Sequence, residues 1–236
     1  MKTSTRVLLA VSGLIPILGL VNSPPDPMLL IYSLFVLALL LRPYIVRLVQ
    51  NVPLRFSAKF ALLIIVSGMV AECLAWTSNY LARNETPALF HPQLIPDLIL
   101  GIGFYGGWAM AWTLILRRYR FSLATVVITT GFFGVAIEQN CQVLISILQA
   151  FTANPLGSVL MAVYVFVVYG SIMGLAYLAV EGELCHSRQG NHWLKYPAVL
   201  LLMCVSSILL TAMVWLVATP LGLIPEHRPI WEHPFF

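Results

Sequence analysis

Residues 58–82 read AKFALLIIVSGMVAECLAWTSNYLA, and this stretch decides the fold class. About 20 predominantly apolar residues cross the hydrocarbon of a bilayer as one helix. Only Lys59, at the start, and Glu72, well inside, carry charge here. An ionisable side chain in that position costs about 2.5–3.5 kcal/mol on insertion scales, so Glu72 is expected to have a partner or a task.

Six more runs of the same character cover residues 6–22, 28–49, 96–116, 121–149, 156–180 and 195–220. The chain of 236 residues is 60% hydrophobic and 9% charged, with a mean hydropathy of +0.90. Soluble domains carry roughly 25% charged residues, so too little charge is present to solvate a surface and the expected solvent is lipid. The composition therefore predicts an all-α protein with one transmembrane domain over residues 1–236, a polytopic bundle of about seven helices. The net charge of +4 comes from small groups of Lys and Arg between apolar runs, which is no nucleic-acid signature. Cys73, Cys141, Cys185 and Cys204 form no CxxC pair and read as small apolar residues.

Turn chemistry separates the runs at Ser23-Pro24-Pro25-Asp26-Pro27, between Arg42 and Lys59, at Arg117-Arg118-Tyr119-Arg120, across the Pro-rich stretch Arg83–Pro96, at Asn154-Pro155 and between Glu181 and Lys195. With seven spans and a cytoplasmic N-terminus, Lys2, Arg6, Arg42, Arg47, Arg55, Lys59, Arg117, Arg118, Arg120, Arg188 and Lys195 fall inside. Only Arg83 and Arg228 fall outside. This asymmetry predicts N-in, C-out, with an integral location such as a bacterial inner or thylakoid membrane. The first run also has the form of a signal peptide, with Val21-Asn22-Ser23 as a tolerable cleavage site and Pro24 against cleavage. Both fates leave the orientation of the rest unchanged.

Acids mirror the bases: only Glu181 and Glu183 fall inside, and Asp26, Glu72, Glu85, Asp97, Glu138, Glu226 and Glu232 fall in the outer half or beyond. At 1.5 Å per residue, Glu72 lies roughly 21 Å up its helix and Glu138 roughly 25 Å up the run 121–149, a similar height. Carboxylates that meet in low dielectric do not both stay ionised cheaply, and a carboxyl holding a proton serves as a general acid or proton carrier. Glu72, Trp76, Asn79 and Arg83 follow one helical stripe. Gly131, Gly134, Glu138, Gln142 and Gln149 follow another, with Gln139, Asn140 and Ser146 nearby. Either these faces form a functional site or they are interhelical hydrogen bonds that position the bundle.

The outer loop from Arg83 to Asp97 is placed over both glutamates, either as a lid supplying His91 and Asp97 or as a stiff connector. Tyr105, Trp108 and Trp112 make an aromatic face, which is packing or a wall against a long apolar ligand. The candidate catalytic residues are thus Glu72, Glu138 and His91, and the candidate substrate-binding residues Trp76, Asn79, Asp97, Tyr105, Trp108 and Gln142. A metal set of Glu72, His91 and Glu138 with His227 or His233 has no compact motif behind it, so no metal is expected, and no cofactor is implied. Gly101-Ile-Gly103-Phe-Tyr-Gly106 matches GxGxxG but lies in an apolar run without a strand–turn–helix context. Gly103 with Gly107, and Gly170 with Gly174, fit close helix packing instead. A rhodopsin reading fails for want of a mid-membrane lysine in the last run, and an EExxxR protease reading fails at Cys73 and Gln139.

Three functions stay open. One is an acid–base membrane enzyme acting on a lipophilic molecule such as an isoprenoid, quinone or lipid. The others are a proton- or cation-coupled transporter and a non-catalytic assembly subunit. The expected partners are the lipid bilayer and a lipophilic small molecule, with no nucleic acid.

Overall fold

The computed structural model describes residues 3–21, 26–87, 89–138, 141–183 and 193–236, and all the regular structure in them is helical. The helices are α1 (Thr3–Val21), α2 (Leu29–Leu40), α3 (Arg42–Gln50), α4 (Phe56–Leu81), α5 (Leu94–Arg118), α6 (Leu123–Ile137), α7 (Gln142–Ala150), α8 (Pro155–Val180) and α9 (Lys195–Ala218). Five of them, α1, α4, α5, α8 and α9, are long and apolar enough to cross a membrane. Counting each of two bent pairs as one span gives up to seven. The apolar helices are those of a multi-pass membrane protein in length and composition.

The bent pairs correct two single helices expected from sequence. The run 28–49 divides into α2 and α3, which meet at 86°. Pro43 stands in the first turn of α3, where its missing N–H costs nothing but its ring opposes an uninterrupted helix. The run 121–149 divides into α6 and α7, which meet at 87°. Here Glu138 is extended (φ −53°, ψ 129°) and Cys141 is left-handed (φ 71°). No proline marks this second break, so hydrophobic periodicity alone reads straight through it.

Helix α8 is the hub, touching α2, α3, α4, α6 and α7, while α5 packs most extensively along α9. Close approach of α5 and α9 depends on Gly103 and Gly107: a Cβ on Gly107 would lie 2.4 Å from the Ser207 backbone nitrogen, and one on Gly103 2.7 Å from the Thr211 Cα. Ser206 Oγ donates to Gly107 O at 2.8 Å and Ser207 Oγ to Phe104 O at 3.2 Å, which fastens the contact. Gly170 and Gly174 give room in the same way to Val127 and Phe35. Small residues at helix contacts let dispersion and hydrogen bonds act where lipid provides no hydrophobic drive.

Charge gathers at one end of the bundle. Arg42 pairs with Glu181 at 2.5 Å, Lys59 with Glu183 at 2.7 Å, and Arg117 donates to Ser57 Oγ at 3.3 Å. Lys195 Nζ donates to Arg120 O at 2.6 Å at the same end. The far end is closed by the loop after α4 and the C-terminal tail.

Candidate functional site

Glu72, on α4, and Glu138, just beyond α6, face one cavity of about 230 Å³ in the half of the bundle away from the basic end. Each carboxylate is positioned by the same local device. Gly68 lies one turn before Glu72, and Gly134 one turn before Glu138, so each glycine shares a face with its glutamate. A Cβ on Gly68 would meet the Tyr105 ring at 2.3 Å, and one on Gly134 would meet the Tyr169 ring at 2.2 Å. The bare backbone lets each tyrosine lie flat against the helix and reach the acid. Tyr105 OH donates to Glu72 Oε1 at 2.6 Å, and Tyr169 OH donates to Glu138 Oε2. Trp108 stands behind both phenols, its ring 5.4 Å from that of Tyr105 and 5.7 Å from that of Tyr169.

A third acid–phenol pair completes the wall. Asp26 caps the approach to α2, Oδ1 accepting from Met28 N at 2.9 Å, while Oδ2 accepts from Tyr164 OH at 3.0 Å. Tyr32 in turn donates to the Tyr164 carbonyl at 3.3 Å. Asp26, Glu72 and Glu138 therefore converge on one space with Tyr105, Tyr164 and Tyr169, and no Lys, Arg or His among the described residues lines it. The apolar remainder includes Ala71, Val165, Val168 and Ile172. Phenol–carboxyl pairs in a low-dielectric cavity have the groups needed to hold a proton, because each phenol oxygen is within hydrogen-bond reach of its own carboxyl.

Of the residues singled out from sequence, Glu72, Glu138, Asn79 and Tyr105 line the cavity. The other five lie elsewhere. Trp76 is buried above it, its Nε1 donating to Pro92 O at 2.9 Å and its ring stacked between Tyr80 and Phe235. Asp97 and His91 belong to a clasp that joins the loop to the tail: Asp97 Oδ1 accepts from His91 N at 3.1 Å. His91 Nδ1 accepts from Gln93 N at 3.2 Å, its Nε2–H donates to Pro225 O at 3.0 Å, and His227 abuts its ring. Burial holds the His91 imidazole below its ordinary pKa, in keeping with a neutral ring that uses one nitrogen as acceptor and the other as donor. Trp108 is core, and Gln142 is exposed at the start of α7 because the bend after Glu138 takes it off the glutamate's face.

No group of three or more His, Cys, Asp and Glu side chains suited to a metal gathers among the described residues. Gln139, Asn140, Cys185, His186, Arg188 and His192, and the Asn22–Pro25 junction, lie outside the described residues. Sequence reasoning passed over Asp26, Tyr164 and Tyr169. A signal for two of the three pairs was present: Gly68-Met-Val-Ala-Glu72 and Gly134-Val-Ala-Ile-Glu138 repeat one glycine-to-glutamate spacing. No family model, curated protein or solved structure matches this chain.

Proposed function

We propose that the chain is a multi-pass membrane protein that crosses the bilayer seven times, N-terminus inside, and acts as an acid–base enzyme on a lipophilic substrate. The observation that carries the reading is the convergence of Glu72 and Glu138, each bonded to a buried phenol, on one cavity. Glu72 and Glu138 exchange the proton, Tyr105 and Tyr169 hold their carboxyls toward the substrate, and the aliphatic wall accommodates its apolar part. The eleven-to-two distribution of basic residues supports this orientation, and with it a cavity in the outer half. The test is the lipid, quinone and pigment profile of host membranes carrying the wild-type chain, Glu72→Gln or Glu138→Gln at matched expression. A species that depends on both glutamates supports catalysis; identical profiles from all three chains remove its basis.

A second reading, a cation- or proton-coupled transporter, is favoured by one feature: three carboxylates line the cavity with no basic side chain from the described residues among them. Proteoliposomes separate the two, since a pH-dependent flux lost in Glu138→Gln belongs to transport.

A further inference from the structure

Beside the acidic cavity lies a second one of about 390 Å³, under the elbow between α7 and α8. Val143 and Met161 line both, so the two spaces meet along a shared wall. Together they fall in the range of roughly 300–1,000 Å³ that small-molecule sites occupy. Their chemistry differs. The first is rich in acceptors: the hydroxyls of Tyr105, Tyr164 and Tyr169 are already given to carboxylates. Glu72 Oε2 and Glu138 Oε1 receive no hydrogen bond among the described residues. A ligand group complementary to this end is a multiple donor with positive charge. The second space is walled by Val143, Ile147, Ala150 and Met161 with Ser146, Asn154 and Ser158 among them, which suits a mostly hydrocarbon chain that carries a polar atom.

An independent sign of a ligand comes from Ser158. It is 5% exposed and lines the second cavity, and its Oγ has no hydrogen-bond partner among the described residues. Buried hydroxyls are normally bonded, so this one is left for a polar atom that a ligand carries part-way along its chain.

We propose that the paired cavities bind a lipophilic amine, with its ammonium among Asp26, Glu72 and Glu138 and its chain under the elbow. This assigns a substrate class to the acid–base site and rests on that reading. It also gives Asp26 a role: a third carboxylate adds binding charge without being needed for proton exchange.

The experiment uses the full chain in phosphatidylcholine nanodiscs, with radiolabelled dodecylamine and the uncharged dodecanol as probes, each corrected against empty nanodiscs. The expected result is saturable dodecylamine binding at least tenfold tighter than dodecanol. Asp26→Asn should weaken it about tenfold, and Ser158→Leu, which fills the chain cavity, should weaken dodecylamine but not methylamine. The comparison of two probes on the wild-type chain needs no variant to fold. Equal binding of amine and alcohol overturns the proposal, as does displacement of dodecylamine by millimolar sodium with no effect of chain length, which would make the site one for inorganic cations. If dodecylamine fails while host lipid profiles still depend on Glu72 and Glu138, the substrate class is wrong and the acid–base reading stands. If both fail, both fall.

Discussion

The two glycine–tyrosine–glutamate arms of the cavity look alike but are built on different backbones. Glu72 sits within α4, which runs unbroken from Phe56 to Leu81. Glu138 is where α6 stops, and the chain regains a helix only after Cys141 in the left-handed region. The first arm is fixed by a helix that has no freedom to shift one residue without shifting its neighbours. The second is fixed by a bend, so its carboxylate can adjust by small changes in a few backbone angles. A site that needs one rigid acid and one adjustable acid obtains both from the same three-residue device.

Trp108 is the ring both arms share, and its loss should have the largest effect. Trp108→Ala is expected to cost about 3–5 kcal/mol, as truncation of a buried tryptophan does. Thermal unfolding in detergent should show one lowered transition; a loss near 1 kcal/mol would mean the phenols do not lean on this ring.

Next come the glycines, which test the asymmetry directly. Gly68→Ala and Gly134→Ala introduce almost equal overlaps with a tyrosine ring, 2.3 and 2.2 Å. Overpacking of this kind costs about 1–3 kcal/mol, and the continuous helix should suffer the upper end while the bend absorbs part of the strain. Equal losses in melting temperature for the two variants would break the comparison.

The bend itself makes a smaller prediction. A non-glycine residue in the left-handed region costs roughly 1–2 kcal/mol, so Cys141→Gly should stabilise the fold by about 1 kcal/mol. If equilibrium unfolding shows the glycine variant less stable, the Cys141 side chain contributes packing that outweighs its backbone strain.

The smallest effect lies outside both arms, in the clasp. His91 has a lowered pKa in the fold because it is buried, so the unfolded or unclasped chain binds a proton more readily. Stability from this histidine is present above its unfolded pKa of about 6.5 and is lost as pH falls from there through the lowered folded value. Protonation fills Nδ1, which then can no longer accept from Gln93 N. Asp97, whose carboxyl accepts from the His91 backbone, and the ring of His227 also face this site. Hydrogen exchange at Gln93 should speed up between pH 7 and pH 5 in the wild-type chain and lose that step in His91→Asn. An unchanged step in the variant would show that it does not belong to His91.

How far the sequence led depends on which physical signal each feature leaves. Apolar runs and helix packing at Gly103 and Gly107 were legible because length and small-residue spacing are local properties. Glu72 and Glu138 were legible because a carboxyl in an apolar run is costly wherever it occurs. The break at Glu138 was not, since neither glycine nor proline announces it and the apolar residues continue on both sides. Nor was the role of Asp26: a lone acid in a proline-rich connection reads as solvent-exposed until Tyr164 is known to reach it from α8. His91 and Asp97 drew notice for their chemistry, but the contact of His91 with Pro225 depends on a tail that no local pattern ties to the loop.

That tail carries a consequence for the timing of biosynthesis. The first N–H groups of α5 at Leu94 and Ile95 are bonded to Pro234 O and Phe235 O, and His91 and Gln93 to Pro225 and Arg228, 134 and 135 residues further on. At about 5–20 residues per second, the loop waits on the order of ten seconds for its partners. During that interval α9 is made and can pack along α5, while the far end of the bundle stays unlatched. That end is therefore latched only when residues 225–235 have been made, after every residue that lines the acidic cavity is already in the chain.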